Sequence, residues 1–268
     1  MHPKRFFAFG CSFTHYSWAT WANILGYDLH KKYGTEFINY GAIGAGNEYI
    51  SNSIAFADLT EKFNKDDLVI VCWTNISRID KWISKERRWM LRGNIWTGTT
   101  DAQFLRQIDF EELLLKNLNY IYHTSENLKS KCNVKFYSMI PIWQLDQYNI
   151  TRGVATPNID TIRAVYKDYF ANTISQSYAE FFSKYEYKYP QDRHPSPQEH
   201  AEFISEDYKL SDETIERVKI ADKRLGEIFN GHQIDKDLPD EVYTQLNKSS
   251  DKLKMHLGKH RYPFGTAK

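Results

Sequence analysis

The chain has few cysteines, almost no net charge and no long apolar run, and each of these absences excludes a class of protein. Three cysteines, Cys11, Cys72 and Cys132, are too few and too scattered for a disulfide framework or a zinc site. Lysine and arginine number 35 against 34 aspartates and glutamates, so no overall field attracts nucleic acid or an anionic membrane. No apolar run approaches the length that spans a bilayer.

The start of the sequence and its length set further limits. The first predicted strand begins by Arg5, which leaves no room for a secretory signal. We therefore expect a cytoplasmic protein, with release by lysis or within an assembled particle left open. A chain of 268 residues can bury a sizeable core in one main domain.

Short apolar runs alternate with helical stretches over the first 200 residues. The predicted strands are 5–9, 36–40, 67–73, 134–140 and 186–189, and the predicted helices are 18–33, 47–63, 109–131 and 160–184. Asp67–Trp73 is apolar on both faces, which is typical of a parallel sheet covered by helices on both sides. We predict a three-layer α/β/α sandwich over 1–205, followed by a helical extension over 206–268.

Polar residues follow the predicted strands at the points where these end. Ser12 comes after the first strand in a Gly-x-Ser turn, a glycine loop at 41–47 follows the second, and Asn75 follows the third. Asp192 and His194 come after the last. Each alone is explained by an ordinary turn, connection or helix start. Because ligands bind beyond the carboxyl ends of parallel strands, the set together predicts one site.

The order of these residues resembles the sequence blocks of the SGNH hydrolases, also called the GDSL family of lipases and acylhydrolases. The resemblance covers roughly residues 5–204 and implies a flavodoxin-like sheet and cleavage of esters without a metal or organic cofactor. It makes Ser12 the nucleophile, His194 the base and Asp192 the acid that orients it. The oxyanion would be held by the backbone N–H groups of Ser12 and Gly44 and by the amide of Asn75.

Two blocks depart from the family pattern. Trp73 stands where the third block has glycine, and Ile76 stands where it has aspartate. In the last block one residue separates Asp192 from His194 instead of two, and Gln191 occupies the customary position of the acid. These departures leave open how His194 is oriented.

The sequence supports several functions that share these residues. We expect a serine esterase that acts on a small O-acyl ester through an acyl-enzyme, with a small molecule or a glycan as the carrier. Alternatives are a sugar O-acyltransferase and a non-catalytic glycan-binding or structural module that has kept the fold. An α/β-hydrolase is disfavoured because its elbow is Gly-x-Ser-x-Gly, and Thr14 takes the last position here. No nucleic-acid or membrane partner is expected, and the oligomeric state is left open.

Three tryptophans, Trp82, Trp89 and Trp96, fall seven residues apart after the Asn75 loop. On a helix this spacing forms one stripe, which is usually core. In an insertion above a cleft the same side chains would stack against sugar rings. We predict the core position.

Overall fold

A computed structural model describes residues 2–94, 108–142, 158–182, 187–189, 192–231 and 259–260. Its helices are α1 (Trp21–Tyr33), α2 (Asn47–Glu61), α3 (Phe110–Lys131), α4 (Ile159–Thr173), α5 (Tyr178–Phe181), α6 (Pro197–Ser205) and α7 (Asp212–Gly231). Its strands are β1 (Arg5–Gly10), β2 (Glu36–Asn39), β3 (Asp67–Trp73), β4 (Arg78–Ile83), β5 (Arg88–Asn94), β6 (Asn133–Ser138), β7 (Gln176–Ser177) and β8 (Lys259–His260).

Six of these strands form one sheet in the order β7-β6-β3-β1-β2-β8, and every neighbouring pair is parallel. Strand β1 lies inside the sheet and pairs with β3 from Arg5 opposite Asp67 to Gly10 opposite Cys72. The other two strands, β4 and β5, form a separate antiparallel hairpin. Because β1, β2 and β3 run in the same direction, the residues that follow them meet at one edge of the sheet.

Helices cover both faces of the sheet, as its apolar strands require. The ring of Phe6 faces Trp21 of α1 on one side, whereas the ring of Phe7 faces Phe63, just beyond α2, on the other. Helices α6 and α7 pack with α1, and α3 packs with α2 and α4. The sheet is therefore the middle layer of a three-layer α/β/α sandwich, and the predicted fold class is confirmed.

The predicted last strand is wrong. Lys188 and Tyr189 lie in a bend, and 183–186 are outside the described residues. The edge strand is instead β7, only two residues long, which pairs with Tyr137 and Ser138 of β6. The helix predicted at 160–184 accordingly ends at Thr173, before this strand.

The tryptophans that follow β3 lie on the β4–β5 hairpin and not on a helix. Trp82 stands directly opposite Trp89 across the hairpin. Trp89 is buried against Tyr49 of α2, with the ring centroids 6.0 Å apart, whereas Trp82 is 37% exposed. The predicted core position is thus confirmed for Trp89 alone, and Trp96 is outside the described residues.

The segment predicted as a helical extension contributes to the same fold. Its helix α7 packs against α1 and α6, and Ser211 just before it donates two hydrogen bonds to Asp28 of α1. Strand β8 pairs with β2 at the edge of the main sheet, so the extension is not wholly helical. The boundary at residue 205 stays a prediction. Within the described ranges, no helix combines the length and apolar character that crossing a bilayer requires.

Candidate active site

Strand β1 ends in a tight turn that presents Ser12. A Cβ atom at Gly10 would lie 2.1 Å from Thr14 Oγ1 and 3.0 Å from the carbonyl oxygen of Cys72, so the close approach of these groups requires glycine. The turn is closed by the N–H of Thr14, which donates to the carbonyl oxygen of Cys11 at 2.9 Å. Ser12 itself is only 4% exposed.

The helix after this turn begins later than predicted. Helix α1 starts at Trp21, and the N–H of Thr20 donates to the Asn23 side chain at the helix start. The Thr20 hydroxyl also donates to the carbonyl oxygen of Thr14, which fixes the intervening segment. Helix α1 therefore begins nine residues after Ser12 along the chain.

The glycine loop between β2 and α2 is bonded to the serine turn. The side-chain amide of Asn39 donates to the carbonyl oxygen of Thr14 at 2.9 Å. The N–H of Ala42 donates to the carbonyl oxygen of Gly10 at 3.1 Å. Gly44 has a φ of +79°, a left-handed conformation that glycine adopts without strain. The loop is therefore held in a fixed position beside Ser12.

The Asn75 side chain heads a turn at the end of β3. Its Oδ1 atom accepts from the N–H of Ser77 at 2.8 Å, so its NH₂ group is not used by the turn. The preceding residue, Thr74, is fixed to the start of α2, because its N–H donates to Asn47 Oδ1 at 2.9 Å. The turn and the glycine loop are thereby joined.

Within the described residues, three hydrogen-bond donors at this edge of the sheet have no acceptor. They are the backbone N–H groups of Ser12 and Gly44 and the side-chain NH₂ of Asn75, for which no hydrogen bond occurs within the part of the chain that the structure describes. Hydrogen bonds join the glycine loop to both the serine turn and the Asn75 turn, so all three donors lie on connected loops. Such donors, fixed before a ligand arrives, can stabilise a negatively charged oxygen.

His194 contacts Ser12 although 182 positions separate the two residues in the sequence. Its Nε2 atom lies 2.9 Å from Ser12 Oγ. The loop that carries the histidine is bonded to the segment after the serine, because Trp18 Nε1 donates to the carbonyl oxygen of Pro195 at 2.8 Å. A hydroxyl bonded in this way to a neutral imidazole can be deprotonated as it attacks an electrophile.

Helix α6, which follows the histidine loop, has a capped start. Glu199 Oε2 accepts from the N–H of Ser196, and Ser196 Oγ accepts from the N–H of Glu199. The other oxygen of Glu199 accepts from the N–H of Lys188 at 2.8 Å. Burial raises the pKa of Glu199, although the N–H groups of Ser196 and Lys188 and the side chain of Ser196 oppose the rise.

Asp192 contacts the other nitrogen of the imidazole. Its Oδ1 atom lies 2.6 Å from His194 Nδ1, and its own carbonyl oxygen lies 3.1 Å from the same nitrogen. Arg193, between the two residues, has a φ of +62°, which is uncommon for a non-glycine residue. The tautomer that satisfies these contacts carries its proton on Nδ1, which leaves Nε2 to accept from Ser12.

A second histidine, His200, lies near the site, but it is bonded to a tyrosine, whereas the histidine bonded to Ser12 is His194. His200 is 1% exposed, and its Nδ1 lies 2.9 Å from the hydroxyl of Tyr178. Burial, together with the neighbouring His194, holds the pKa of His200 well below its usual value. His200 therefore stays neutral at physiological pH.

Asp80 of β4 supports the end of the glycine loop, a role that the sequence did not indicate. Its carboxylate accepts from the N–H groups of Gly46 and Tyr49, both at 2.8 Å, at the start of α2. Burial raises the pKa of Asp80 to about 6, and the charge of Glu48 adds to the rise. The two N–H donors and Arg78 oppose it.

Tyr16 is the other residue that sequence reasoning missed. Its hydroxyl lies 2.9 Å from each carboxylate oxygen of Asp192, and its ring is stacked on that of His194. No motif marks it among the 18 tyrosines of the chain. The proximity of Tyr16 to Ser12 in the sequence is the only signal that could have suggested it.

The structure thus brings Ser12, His194 and Asp192 into direct contact, and it places Gly44 and Asn75 at the same edge of the sheet. Gln191, the other candidate for the acid, is outside the described residues. The three cysteines are buried free thiols. Among the residues that the structure describes, no group of three or more histidine, cysteine, aspartate or glutamate side chains could hold a metal ion.

Comparison with known proteins gives one structural likeness. No protein-family model and no curated protein matches the sequence. The fold is similar to the crystal structure of a member of the lipolytic protein G-D-S-L family from Veillonella parvula DSM 2008. The match has a TM-score of 0.42 and 13% sequence identity, and it covers 76% of this chain and 97% of the other.

Proposed function

We propose that the protein is a serine esterase that cleaves a small O-acyl ester through an acyl-enzyme intermediate. One observation carries the proposal: a continuous hydrogen-bonded chain from Ser12 Oγ through the imidazole of His194 to the carboxylate of Asp192. This is the arrangement of nucleophile, base and orienting acid that acyl transfer requires. Ser12 directly follows β1, and the loop that carries Asp192 and His194 is bonded to the segment after Ser12 through Trp18 and Pro195.

In the first half of the reaction, Ser12 Oγ forms a bond to the ester carbonyl carbon while its proton passes to His194 Nε2. The C–O bond to the alcohol then breaks, and the departing oxygen takes the proton from the imidazolium. In the second half, water attacks the acyl-serine with the same proton transfers, which releases the carboxylic acid and restores Ser12. Asp192 stabilises the positive charge that His194 carries between these steps.

The unpaired donors of Ser12, Gly44 and Asn75 support an oxyanion hole. In the tetrahedral intermediate the former carbonyl oxygen carries a full negative charge. Donors that are already fixed need no reorganisation when that charge develops, and each one is typically worth about 3 kcal/mol of transition-state stabilisation. The hydrogen bonds that join the serine turn, the glycine loop and the Asn75 turn favour this assignment.

The proposed substrate has a small acyl group on a polar carrier, for which a sugar is one candidate. The partly exposed Trp82 offers a ring on which a sugar could stack. A sugar O-acyltransferase would use the same residues and differ only in the acceptor of the acyl group. Adding a sugar acceptor to the assay and following acylated sugar by mass spectrometry distinguishes transfer from hydrolysis.

A fluorophosphonate probe tests the proposal directly, because it reacts only with an activated serine. We expect the wild-type protein to gain one adduct, located on Ser12 by peptide mass spectrometry, and the Ser12→Ala variant to gain none. The Ser205→Ala variant is the matched control, because this hydroxyl donates to the carbonyl oxygen of Ala201 within its own helix. An unlabelled wild-type protein would favour a non-catalytic binding module.

A further inference from the structure

We infer that Tyr16 is a positioning residue for the acid and base, a role that rests on the proposed hydrolase function. The Tyr16 hydroxyl lies 2.9 Å from both Oδ1 and Oδ2 of Asp192, so one donor spans the whole carboxylate. Oδ1 is also the atom that contacts His194. A carboxylate held by a second donor cannot rotate away from the imidazole without losing a charge-assisted hydrogen bond.

The ring of Tyr16 fixes the imidazole as well. The two rings are stacked with centroids 4.0 Å apart and an angle of 16° between their planes. The edge of Phe13 faces the same imidazole, with the centroids 5.5 Å apart and the planes at 61°. An aromatic face this close attracts a cation, so the stacked ring stabilises the imidazolium that forms during catalysis. Tyr16 thus acts on both members of the pair.

The Tyr16 side chain is itself held by aromatic packing. Trp18 packs edge-on against it, with the centroids 4.6 Å apart and the planes at 85°. Trp18 in turn contacts Phe229 of α7, and Tyr189 stacks on the same phenylalanine. The segment after Ser12 therefore contacts the loop that carries Asp192 and His194, and α7 contacts the same segment through Phe229.

These contacts of Tyr16 stabilise the loop conformation that the short spacing between Asp192 and His194 requires. With one residue between them, the acid depends on the left-handed conformation of Arg193 to face the imidazole. Such a conformation persists only when the surrounding structure holds it. Tyr16 supplies that restraint from outside the loop, through the carboxylate on one side and the imidazole on the other.

Two variants separate the two contacts. Tyr16→Phe keeps the stacked ring and removes the hydroxyl, whereas Tyr16→Leu removes both. We expect kcat for a p-nitrophenyl ester to fall about tenfold in the first and about a hundredfold in the second, with KM within about twofold of wild type. Tyr33→Phe is the control, since Tyr33 lies at the end of α1 and stacks on His2. Its kcat should equal that of the wild type.

A readout that does not depend on turnover keeps the role distinguishable from the proposed function. In ¹⁵N-histidine NMR spectra, with His194→Gln used to assign the signal, wild-type His194 should show one tautomer with the proton on Nδ1. Tyr16→Leu should show a mixture of tautomers and Tyr16→Phe an intermediate state. Wild-type protein without esterase activity would overturn the hydrolase, whereas an unchanged tautomer and kcat in both variants would overturn the role of Tyr16.

Discussion

The carboxylate of Asp192 lies 2.6 Å from Nδ1 of His194 although a single residue separates them. The backbone carbonyl oxygen of Asp192 approaches the same nitrogen at 3.1 Å. The imidazole therefore has two acceptors for one proton, only one of which is charged. The second acceptor can keep the tautomer when the charge is removed.

Asp192→Asn is expected to lower kcat by about 10- to 100-fold, less than the roughly 10⁴-fold loss that follows where such a change yields the wrong tautomer. The remaining loss reflects the missing charge opposite the imidazolium. Steady-state kinetics on a p-nitrophenyl ester measure the effect, with the exposed Asp160→Asn as control. A loss as large as that of His194→Ala would show that the carbonyl oxygen does not orient the ring.

Arg193→Val should impair this loop, whereas Arg193→Gly should leave it intact. An L-residue in the left-handed region is strained by about 1–2 kcal/mol, and glycine is not. We expect the glycine variant to keep its activity, with a melting temperature close to wild type because glycine also gains entropy in the unfolded chain. The β-branched valine should lower kcat by about tenfold or more. Equal activity in both variants would mean that the φ of +62° has no role.

Asn75→Asp and Asn75→Ala separate the turn from the donor. Aspartate retains an oxygen that can accept from Ser77, but it has no NH₂ group to donate. Both variants should lower kcat by roughly 10²–10³ with little change in KM, because the donor acts on the transition state. Only the alanine variant should lose stability in urea denaturation. Full activity in Asn75→Asp would limit Asn75 to shaping the turn.

Asp80 should make the free energy of unfolding fall as the pH rises. Its pKa is raised to about 6 in the folded protein, so between about pH 4 and 6 the folded state holds a proton that the unfolded chain has lost. The contribution of Asp80 is therefore greatest below this window, and about 3 kcal/mol is lost on passing through it. Asp80→Asn lacks the titration. Urea denaturation of both proteins at pH 4–7 should show wild type losing stability relative to the variant, and a gain would contradict the account.

Most of the fold could be predicted because four strands of the sheet are short segments, rich in apolar and aromatic residues, that alternate with helical stretches. The predicted and observed bounds of Asp67–Trp73 coincide, and the other three differ by two residues or fewer at each end. The two-residue strand β7 could not be predicted, because a pair of edge residues has no periodic pattern. The hairpin was missed for another reason. Its connecting segment contains neither glycine nor asparagine, although Arg87 adopts a φ of +51° there.

The residues of the candidate site that stand in short sequence motifs could be predicted. Ser12 stands in a Gly-x-Ser turn and His194 stands two positions after Asp192, and the serine and the histidine are hydrogen-bonded although they lie 182 positions apart. Tyr16 and Asp80 act through tertiary contacts alone, so neither stands in a pattern that a sequence displays. The conformation of Arg193 was equally hidden, because glycine would be the expected residue at that φ.

The hydrolysis of a short p-nitrophenyl ester by wild-type protein and by Ser12→Ala tests the central claim most directly. We expect wild-type turnover to fall to the background rate in Ser12→Ala, with circular dichroism and the melting temperature unchanged. Cys11→Ala, at the neighbouring buried position, should keep most of the activity. Equal turnover in wild type and Ser12→Ala would contradict the proposed mechanism.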